Sequence, residues 1–128
     1  MNLVICDTNI FIAAFNGIEE ASSELSLIGY ENVLMPSITV MELFRGMQNK
    51  EQLAKMSKQI KAYNILDFNE GVSVRAVQLI KDYKLSHNLQ IPDAIIAALA
   101  LEYDFELFTY NIKDFKFIPG LKLHNTLA

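Results

Sequence analysis

Near its amino terminus the chain has an apolar run that stops abruptly at three polar residues, Leu3-Val4-Ile5-Cys6 followed by Asp7-Thr8-Asn9. A continuous apolar run of this length is typical of a β-strand that is buried on both faces of a sheet. Such strands belong to parallel sheets that are covered by helices on both sides. Asp7 is then expected just beyond the end of the strand, at the carboxyl edge of the sheet.

Short apolar segments alternate with helical segments along the rest of the chain. Further strands are predicted at 32–35, 65–68, 106–109 and, more weakly, 121–123. Helices are predicted at 37–47 (capped by Ser37), at 50–62, at 70–84 (with Val74, Val77, Ile80 and Lys81 at helical spacing), and at 92–103. The last helix is almost wholly apolar beyond its first turn and is expected to be central and buried. Strands alternating with helices imply parallel pairing and right-handed crossovers, hence a helix–sheet–helix sandwich.

The length and composition suit one globular domain, spanning residues 1–128. Apolar residues make up 52% of the chain and charged residues 20%, the profile of a well-packed globule. No apolar run approaches the roughly 20 residues needed to cross a bilayer, and the basic start of a signal peptide is missing. The single cysteine, Cys6, cannot form an internal disulfide. These features predict a cytoplasmic protein with Cys6 in its core.

The net charge of −4 argues against indiscriminate nucleic-acid binding, which usually requires an excess of Lys and Arg. That objection weakens if several of the acids bind divalent cations, because the cations cancel negative charge where an anionic substrate approaches. The composition therefore leaves a nuclease open without indicating one.

Four acids occupy positions that are unusual for surface carboxylates. Asp7 and Asp114 follow predicted strands, whereas Glu42 and Asp93 lie on helices that have few other polar residues. Each also has a structural alternative. Asp7 would serve as the N-cap of the next helix, and Asp114 would form a capping box with Asn111. Glu42 would be simply solvated, and Asp93 would be favoured by the helix dipole.

The joint placement of these acids is more informative than any one of them. Three or four carboxylates converging at one edge would repel one another and raise their pKa values unless a cation lay between them. Mg²⁺ and Mn²⁺ prefer oxygen ligands and suit such a site. A bound metal of this kind activates water for in-line attack on a phosphodiester and stabilises the leaving oxygen. The acids therefore predict metal-dependent phosphodiester cleavage.

Four segments together resemble the PIN-domain family and, within it, the VapC-type toxins of bacterial toxin–antitoxin pairs. They are Asp7-Thr8-Asn9, 41–46, 91–98 and the stretch from Thr109 through Phe115 to Pro119-Gly120-Leu121. They occur in the family's order and at its spacing, and they cover nearly the whole chain. The resemblance implies an α/β PIN fold, a three-layer α/β/α sandwich with a five-stranded parallel sheet.

The resemblance also implies function. It implies an endoribonuclease toxin that depends on Mg²⁺ or Mn²⁺, acts on RNA, forms a homodimer and is held inactive by a small antitoxin in its active-site groove. The family's invariant acids correspond to Asp7, Glu42 and Asp93, and its more variable fourth acid to Asp114. The supporting polar positions correspond to Asn9, Thr109 and Asn111. Tyr110 departs from the family pattern, in which a polar or basic residue is more usual.

Two basic residues adjoin the motif acids. Arg45 lies one turn after Glu42 and Lys113 lies next to Asp114, so both are predicted to contact substrate phosphate. Arg45 has an equal alternative as the structural partner of an acid. The two histidines, His87 and His124, are a possible acid–base pair for metal-independent cleavage, but neither lies in a motif.

Two rival functions remain. A response-regulator receiver has this length and a related doubly wound architecture, but it would leave Glu42 and Asp93 without a role. Asp67 also lies inside its predicted strand rather than after it. The other rival is a catalytically silent PIN domain that only binds an antitoxin or RNA, and the presence of all four acids argues against it.

Overall fold

The computed structural model describes residues 2–125. Its strands and helices, in chain order, are β1 (Val4–Cys6), α1 (Thr8–Phe15), α2 (Glu19–Ile28), β2 (Val33–Pro36), α3 (Ser37–Arg45), α4 (Lys50–Ile60), β3 (Asn64–Leu66), α5 (Glu70–His87), α6 (Ile91–Tyr103) and β4 (Glu106–Phe108). Short 3₁₀ helices at Tyr30–Asn32 and Ile112–Asp114 precede β2 and follow β4. None of the helices within 2–125 combines the length and apolar character that a bilayer crossing requires.

The four strands form one parallel sheet in the order β3-β2-β1-β4. β1 lies inside the sheet, with Val4 beside Val33 of β2 and Cys6 beside Phe108 of β4. Because all the strands run in one direction, their carboxyl ends lie along the same edge. The residues that follow β1 and β4 are therefore neighbours in space although about 100 positions separate them in sequence.

The predicted fifth strand is reduced to a single bridge. Leu123 pairs in parallel with Leu107 of β4, and two backbone hydrogen bonds join this segment to the strand. So few bonds do not form a ladder, and the sheet has four strands rather than five. The α/β PIN-like architecture is otherwise as predicted.

Apolar side chains fill both faces of the sheet, and consecutive residues of a strand point to opposite faces. Val4 and Cys6 pack with α1, α2 and α4 in one cluster, whereas Ile5 packs with α5 and α6 in the other. The predicted three-layer sandwich is thereby confirmed. The Cys6 side chain is fully buried, and burial together with the nearby charges of Asp7 and Glu24 raises the pKa of its thiol far above the usual range.

The buried face of α5 differs from the apolar stripe in its sequence. Val74 and Val77 are 65% and 60% exposed, whereas Val72, Ala76 and Leu79 are buried. Apolar residues lie on more than one side of this helix, and packing against α6 selects the side with the small Ala76. The prediction for α6 is confirmed, because most of the helix beyond its first turn is buried.

Helix boundaries shift by a few residues where capping differs from expectation. Ser37 is the first residue of α3 and not its cap, because β2 continues through Pro36, which occupies the capping position without a side-chain bond. At the other end of the fold, α5 extends to His87 and stops at Asn88, which adopts the left-handed conformation at φ 52°. Asn tolerates that conformation better than most residues and so ends the helix there.

Candidate active site

Asp7 is anchored at the carboxyl end of β1 and is 5% exposed. Its Oδ1 accepts a hydrogen bond of 2.8 Å from the backbone N–H of Thr8, which makes Asp7 the N-cap of α1. Its Oδ2 accepts from the Thr109 hydroxyl at 2.8 Å and from the Asn9 amide at 3.3 Å. The capping alternative for Asp7 is therefore correct, and it coexists with a fixed carboxylate at the sheet edge.

The supporting polar residues join the loop after β4 to the loop after β1. Thr109 is buried, and its hydroxyl oxygen also accepts from the backbone N–H of Asn111 at 3.0 Å. The side-chain oxygen Oδ1 of Asn9 accepts a hydrogen bond from the backbone N–H of Tyr110 at 3.3 Å. Since β1 and β4 pair directly, these contacts hold the two strand ends in one arrangement around Asp7.

Glu42 is positioned by a threonine that the sequence did not single out. The Thr8 hydroxyl donates to Glu42 Oε1 at 2.7 Å. The same Thr8 hydroxyl oxygen lies 2.9 Å from the hydroxyl oxygen of Thr39. Thr39 is fully buried and lies three residues before Glu42 on α3, hence on the same helix face. Three-residue spacing from a motif acid was the signal that could have identified Thr39.

Asp93 and Asp114 share the other side of the site. Asp93 lies in the first turn of α6, and both acids line one pocket of about 180 Å³. Burial, followed by the charges of Asp7, Asp114 and Glu42, raises the pKa of Asp93 to about 7. The charges of all four predicted acids therefore act on one another across a single site.

The capping box expected of Asp114 is not formed. Asn111 precedes the 3₁₀ helix Ile112–Asp114 without making a side-chain cap bond, and its backbone N–H donates to Thr109 instead. The backbone N–H of Asn111, from which the Asp114 carboxylate would accept in a capping box, is therefore already bonded to Thr109. This removes the structural alternative for Asp114.

The negative charge of the site is not balanced by a side chain. Burial raises the pKa of Asp7 against the lowering effect of its bonds to Thr109 and Thr8, and Glu42 and Asp114 raise it further. Within residues 2–125 none of the four acids forms an ion pair with Lys, Arg or His. Carboxylate oxygens with uncompensated charge fit a hard divalent cation in donor type and in charge.

The distances between the four carboxylates are a separate question from the type of their donor atoms. Over the same residues, no three His, Cys, Asp or Glu side chains are drawn together closely enough to form a coordination shell. Within residues 2–125 the carboxylates are therefore suitable metal donors by chemical type, whereas their arrangement is not itself a coordination shell.

The remaining predicted residues lie on the surface. Arg45, at the end of α3, and Lys113 are exposed, and neither pairs with an acid in the part of the chain that the structure describes. The alternative of Arg45 as a structural partner thus has no contact to support it. The histidines do not form a pair: His87 ends α5 beside the pocket of Asp93, and His124 binds Glu24 and Glu106 elsewhere.

Comparison with known proteins agrees with this geometry. Residues 4–120 match the model of the PIN domain. This chain belongs to the PIN-domain family. The PIN domain is 30% identical over 128 residues to Ribonuclease VapC of Rickettsia bellii (strain RML369-C), with 94% of this chain and 93% of that protein covered. It is also 30% identical to Ribonuclease VapC1 of Rickettsia felis (strain ATCC VR-1525 / URRWXCal2), covering 96% and 95%.

Solved structures that are similar to the PIN domain include toxin–antitoxin complexes. One is a toxin–antitoxin complex from Klebsiella pneumoniae, with 33% identity, a TM-score of 0.77 and coverage of 92% of this chain and 94% of that one. Another is VapBC2 from Rickettsia felis bound to a DNA fragment from their promoter, with 29% identity, a TM-score of 0.80 and coverage of 97% and 98%. The predicted resemblance to VapC-type PIN domains is confirmed.

Proposed function

We propose that this PIN domain is a metal-dependent endoribonuclease and the toxin of a toxin–antitoxin pair. The observation that carries the proposal is the group of four mutually repelling carboxylates at the carboxyl edge of the sheet, none of which forms an ion pair with a cationic side chain within residues 2–125. Relatives at 30% identity are named ribonucleases, and similar chains were solved in toxin–antitoxin complexes. Those names support the same activity here.

Asp7, Glu42 and Asp93 are the residues we propose to hold Mg²⁺ or Mn²⁺, with Asp114 as a fourth, more replaceable member. Their hard oxygen donors match these ions. A bound ion of this kind supplies an activated water and stabilises charge on the leaving oxygen of a phosphodiester.

The chain's own contribution is to hold the carboxylates in place before substrate arrives. Thr109 and the N-terminus of α1 fix the two oxygens of Asp7, and Thr8 fixes one oxygen of Glu42. Fixed partners of ligating groups commonly account for 10- to 100-fold in metal affinity or activity. Arg45 and Lys113, which are exposed, are proposed to contact the RNA phosphates around the scissile bond.

The activity is tested with purified protein and labelled RNA, with Mg²⁺, with Mn²⁺ and with EDTA. We expect cleavage that needs the metal and leaves 5′-phosphate ends. Asp7→Asn, which keeps the size of the side chain but removes its charge and one of its two accepting oxygens, should abolish cleavage. Asp82→Asn is the matched control, because Asp82 is exposed on α5 and bonds only Gln78 among the described side chains.

Two results would contradict the proposal. Cleavage that persists in EDTA would exclude the metal mechanism, and undiminished cleavage by Asp7→Asn would exclude the acidic site. If soluble wild-type protein cleaves no RNA and causes no growth defect when expressed alone, yet binds an antitoxin from the neighbouring reading frame, the silent PIN domain is the correct alternative.

Partner binding is the second part of the proposal, and an apolar groove supports it. The groove, of about 340 Å³, lies between α5 and α6 and is lined mainly by Phe68, Val77, Ile91 and Ile95. Ile91 and Val77 are 67% and 60% exposed. Contiguous exposed apolar surface of this kind marks binding sites. We propose a homodimer that also binds a small antitoxin.

Val77→Glu tests whether a partner uses this groove. The side chain is exposed, so the charge should leave folding intact while weakening whichever complex covers the groove, as measured by light scattering after gel filtration. Leu85→Glu is the control, because Leu85 is 99% exposed on the same helix and lies outside the groove. Equal behaviour of the two variants would exclude the groove as a partner surface.

A further inference from the structure

The loop between α5 and α6 lines a pocket that is also lined by two of the site's acids. Residues 87–90 line this pocket of about 180 Å³ together with Asp93 and Asp114. Its lining is mostly polar, with Leu89 as the one apolar residue among those described. No residue of this loop belongs to the motifs that indicated the acidic site.

The loop is built to hold its side chains still. Asn88 ends α5 in the left-handed conformation, its backbone N–H bonded to the carbonyl of Lys84 at 2.9 Å, and Leu89 is buried. Gln90 Nε2 donates to the Asn88 carbonyl at 2.9 Å. Side chains fixed before a ligand binds lose less conformational freedom on binding.

The imidazole of His87 is also fixed. Its ring stacks on Phe117 with centroids 3.9 Å apart and planes 13° from parallel. Its Nδ1 is 2.7 Å from the Ser86 hydroxyl. A histidine held by stacking and by one nitrogen presents its other nitrogen, Nε2, in a defined position.

The polar atoms that this loop leaves available are of mixed type. Asn88 uses its Oδ1 to accept from Lys84, and Gln90 uses its Nε2 as a donor. Asn88 Nδ2, Gln90 Oε1 and His87 Nε2 have no side-chain or backbone partner among residues 2–125. Donors and acceptors side by side match the edge of a nucleobase.

Without a bound cation, a phosphate fits this pocket poorly, because Asp93 and Asp114 also line it and repel an anion. A neutral base meets no such repulsion. We propose that residues 87–90 are a base-recognition subsite that binds the nucleobase next to the scissile phosphate. This inference rests on the proposed ribonuclease function and assigns part of its substrate selectivity to the α5–α6 loop.

Neutral nucleosides test the subsite without phosphate, metal or cleavage. Adenosine, guanosine, cytidine and uridine are titrated separately into the protein while NMR follows the side-chain signals of His87, Asn88 and Gln90. At least one nucleoside should shift these signals saturably, and inorganic phosphate should not. Gln90→Ala and Asn88→Gly should weaken the response, the latter without backbone strain because Gly accepts φ 52°. Gln78→Ala on the exposed face of α5 is the control.

Cleavage supplies an independent measurement. RNA oligonucleotides that vary only the base on either side of the cut should differ in kcat/KM by at least about fivefold for the wild type. Gln90→Ala and His87→Phe, the latter keeping the aromatic stack, should bring that ratio close to one. The change should fall mainly on KM for the preferred base.

The outcomes separate the two proposals. Nucleoside binding at the loop without any RNA cleavage supports the subsite and contradicts the ribonuclease function. RNA cleavage with no nucleoside response and an unchanged base ratio in both variants overturns the subsite alone. A response to phosphate and not to nucleosides also overturns it, because the pocket would then bind an anion.

Discussion

Two groups of acids lie beside β4, and the fold treats them in opposite ways. On one side, His124 contacts Glu106 through Nδ1 and Glu24 through Nε2, each at 3.0 Å. Glu24 is buried, and its carboxylate contacts the His124 ring. At the carboxyl edge, Asp7 and Asp93 are also partly or wholly buried, and within the described residues no cationic side chain meets them.

The difference shows that this fold can compensate a buried carboxylate with a side chain. Both ring nitrogens of His124 lie within hydrogen-bond distance of a carboxylate oxygen. The edge acids receive hydroxyl and amide donors instead, which orient them without neutralising them. Uncompensated charge destabilises the chain and is expected where an external cation binds.

The largest effect is expected within the acidic group. Asp93→Asn should lower kcat by about 10²- to 10³-fold, because it removes a proposed metal ligand and its charge. Asp114→Asn should cost about tenfold or less, since Asp114 is the acid we propose to be replaceable. Single-turnover cleavage measures both. Equal losses would contradict the proposed division, and Asp82→Asn should match the wild type.

The next effect concerns the orientation of Glu42. Thr8→Val keeps the shape of the side chain but removes the hydroxyl that donates to Glu42 at 2.7 Å. Activity or apparent Mg²⁺ affinity should fall by about 10- to 100-fold. Thr8→Ser keeps a hydroxyl and should recover most of the loss. If serine fails to recover it, packing and not hydrogen bonding is the role of Thr8.

The acids that contact His124 should affect the stability of the fold. His124→Leu leaves Glu24 buried without its partner and should lower the free energy of unfolding by about 1.5–3 kcal/mol. The double variant with Glu24→Leu should recover part of that loss, because no unpaired charge remains. Urea unfolding measures both. No recovery in the double variant would show that packing, and not charge, dominates at His124.

The acids at the sheet edge should affect stability in the opposite direction, because removing the charge of Asp93 should stabilise the folded chain. The pKa of Asp93 rises from its ordinary 3.8 to about 7 on folding, so the folded chain holds this proton more tightly. Its contribution to stability is full below about pH 4 and is lost as the pH rises through 7. In EDTA at pH 8, Asp93→Asn should therefore unfold at a higher denaturant concentration than the wild type. Its free energy of unfolding should be larger by roughly 1–2 kcal/mol, after discounting for the partial exposure of Asp93.

Mg²⁺ should reverse the order of stability of the wild type and Asp93→Asn. A cation that binds the folded wild type stabilises it by mass action, and Asp93→Asn should gain less. Matched unfolding curves with EDTA and with Mg²⁺, recorded at pH 5 and pH 8, provide the measurement. An identical response of both proteins to Mg²⁺ would exclude Asp93 as a ligand.

The fold and the position of Asp7 at the sheet edge were predictable because local sequence patterns determine them. A buried strand that ends at Asp7 places that acid at the sheet edge whatever the rest of the chain does. Pairing of β1 with β4 then brings Thr109 to it. By contrast, the contact of Thr8 with Glu42 depends on how α1 and α3 pack, which no sequence spacing between them reveals.

The errors also have physical causes. The helical spacing of Val74 and Val77 predicted a helix, but it did not show that Val72, Ala76 and Leu79 form the buried face of α5. The fifth strand was expected at Leu121 to Leu123, but only Leu123 completes a bridge. The pocket at residues 87–90 was not predicted, because it also requires the placement of Asp93 and Asp114 from other segments.

The buried thiol of Cys6 gives the sheet a built-in reporter. Cys6 is the only cysteine in the chain, is fully buried beside Asp7, and has a raised pKa, so alkylating reagents react only when β1 leaves the sheet. The rate of labelling therefore reports the opening of the strand that leads to the proposed catalytic edge. A cation or RNA that binds at this edge should slow the labelling, which measures occupancy of the site through a native residue and without an engineered label.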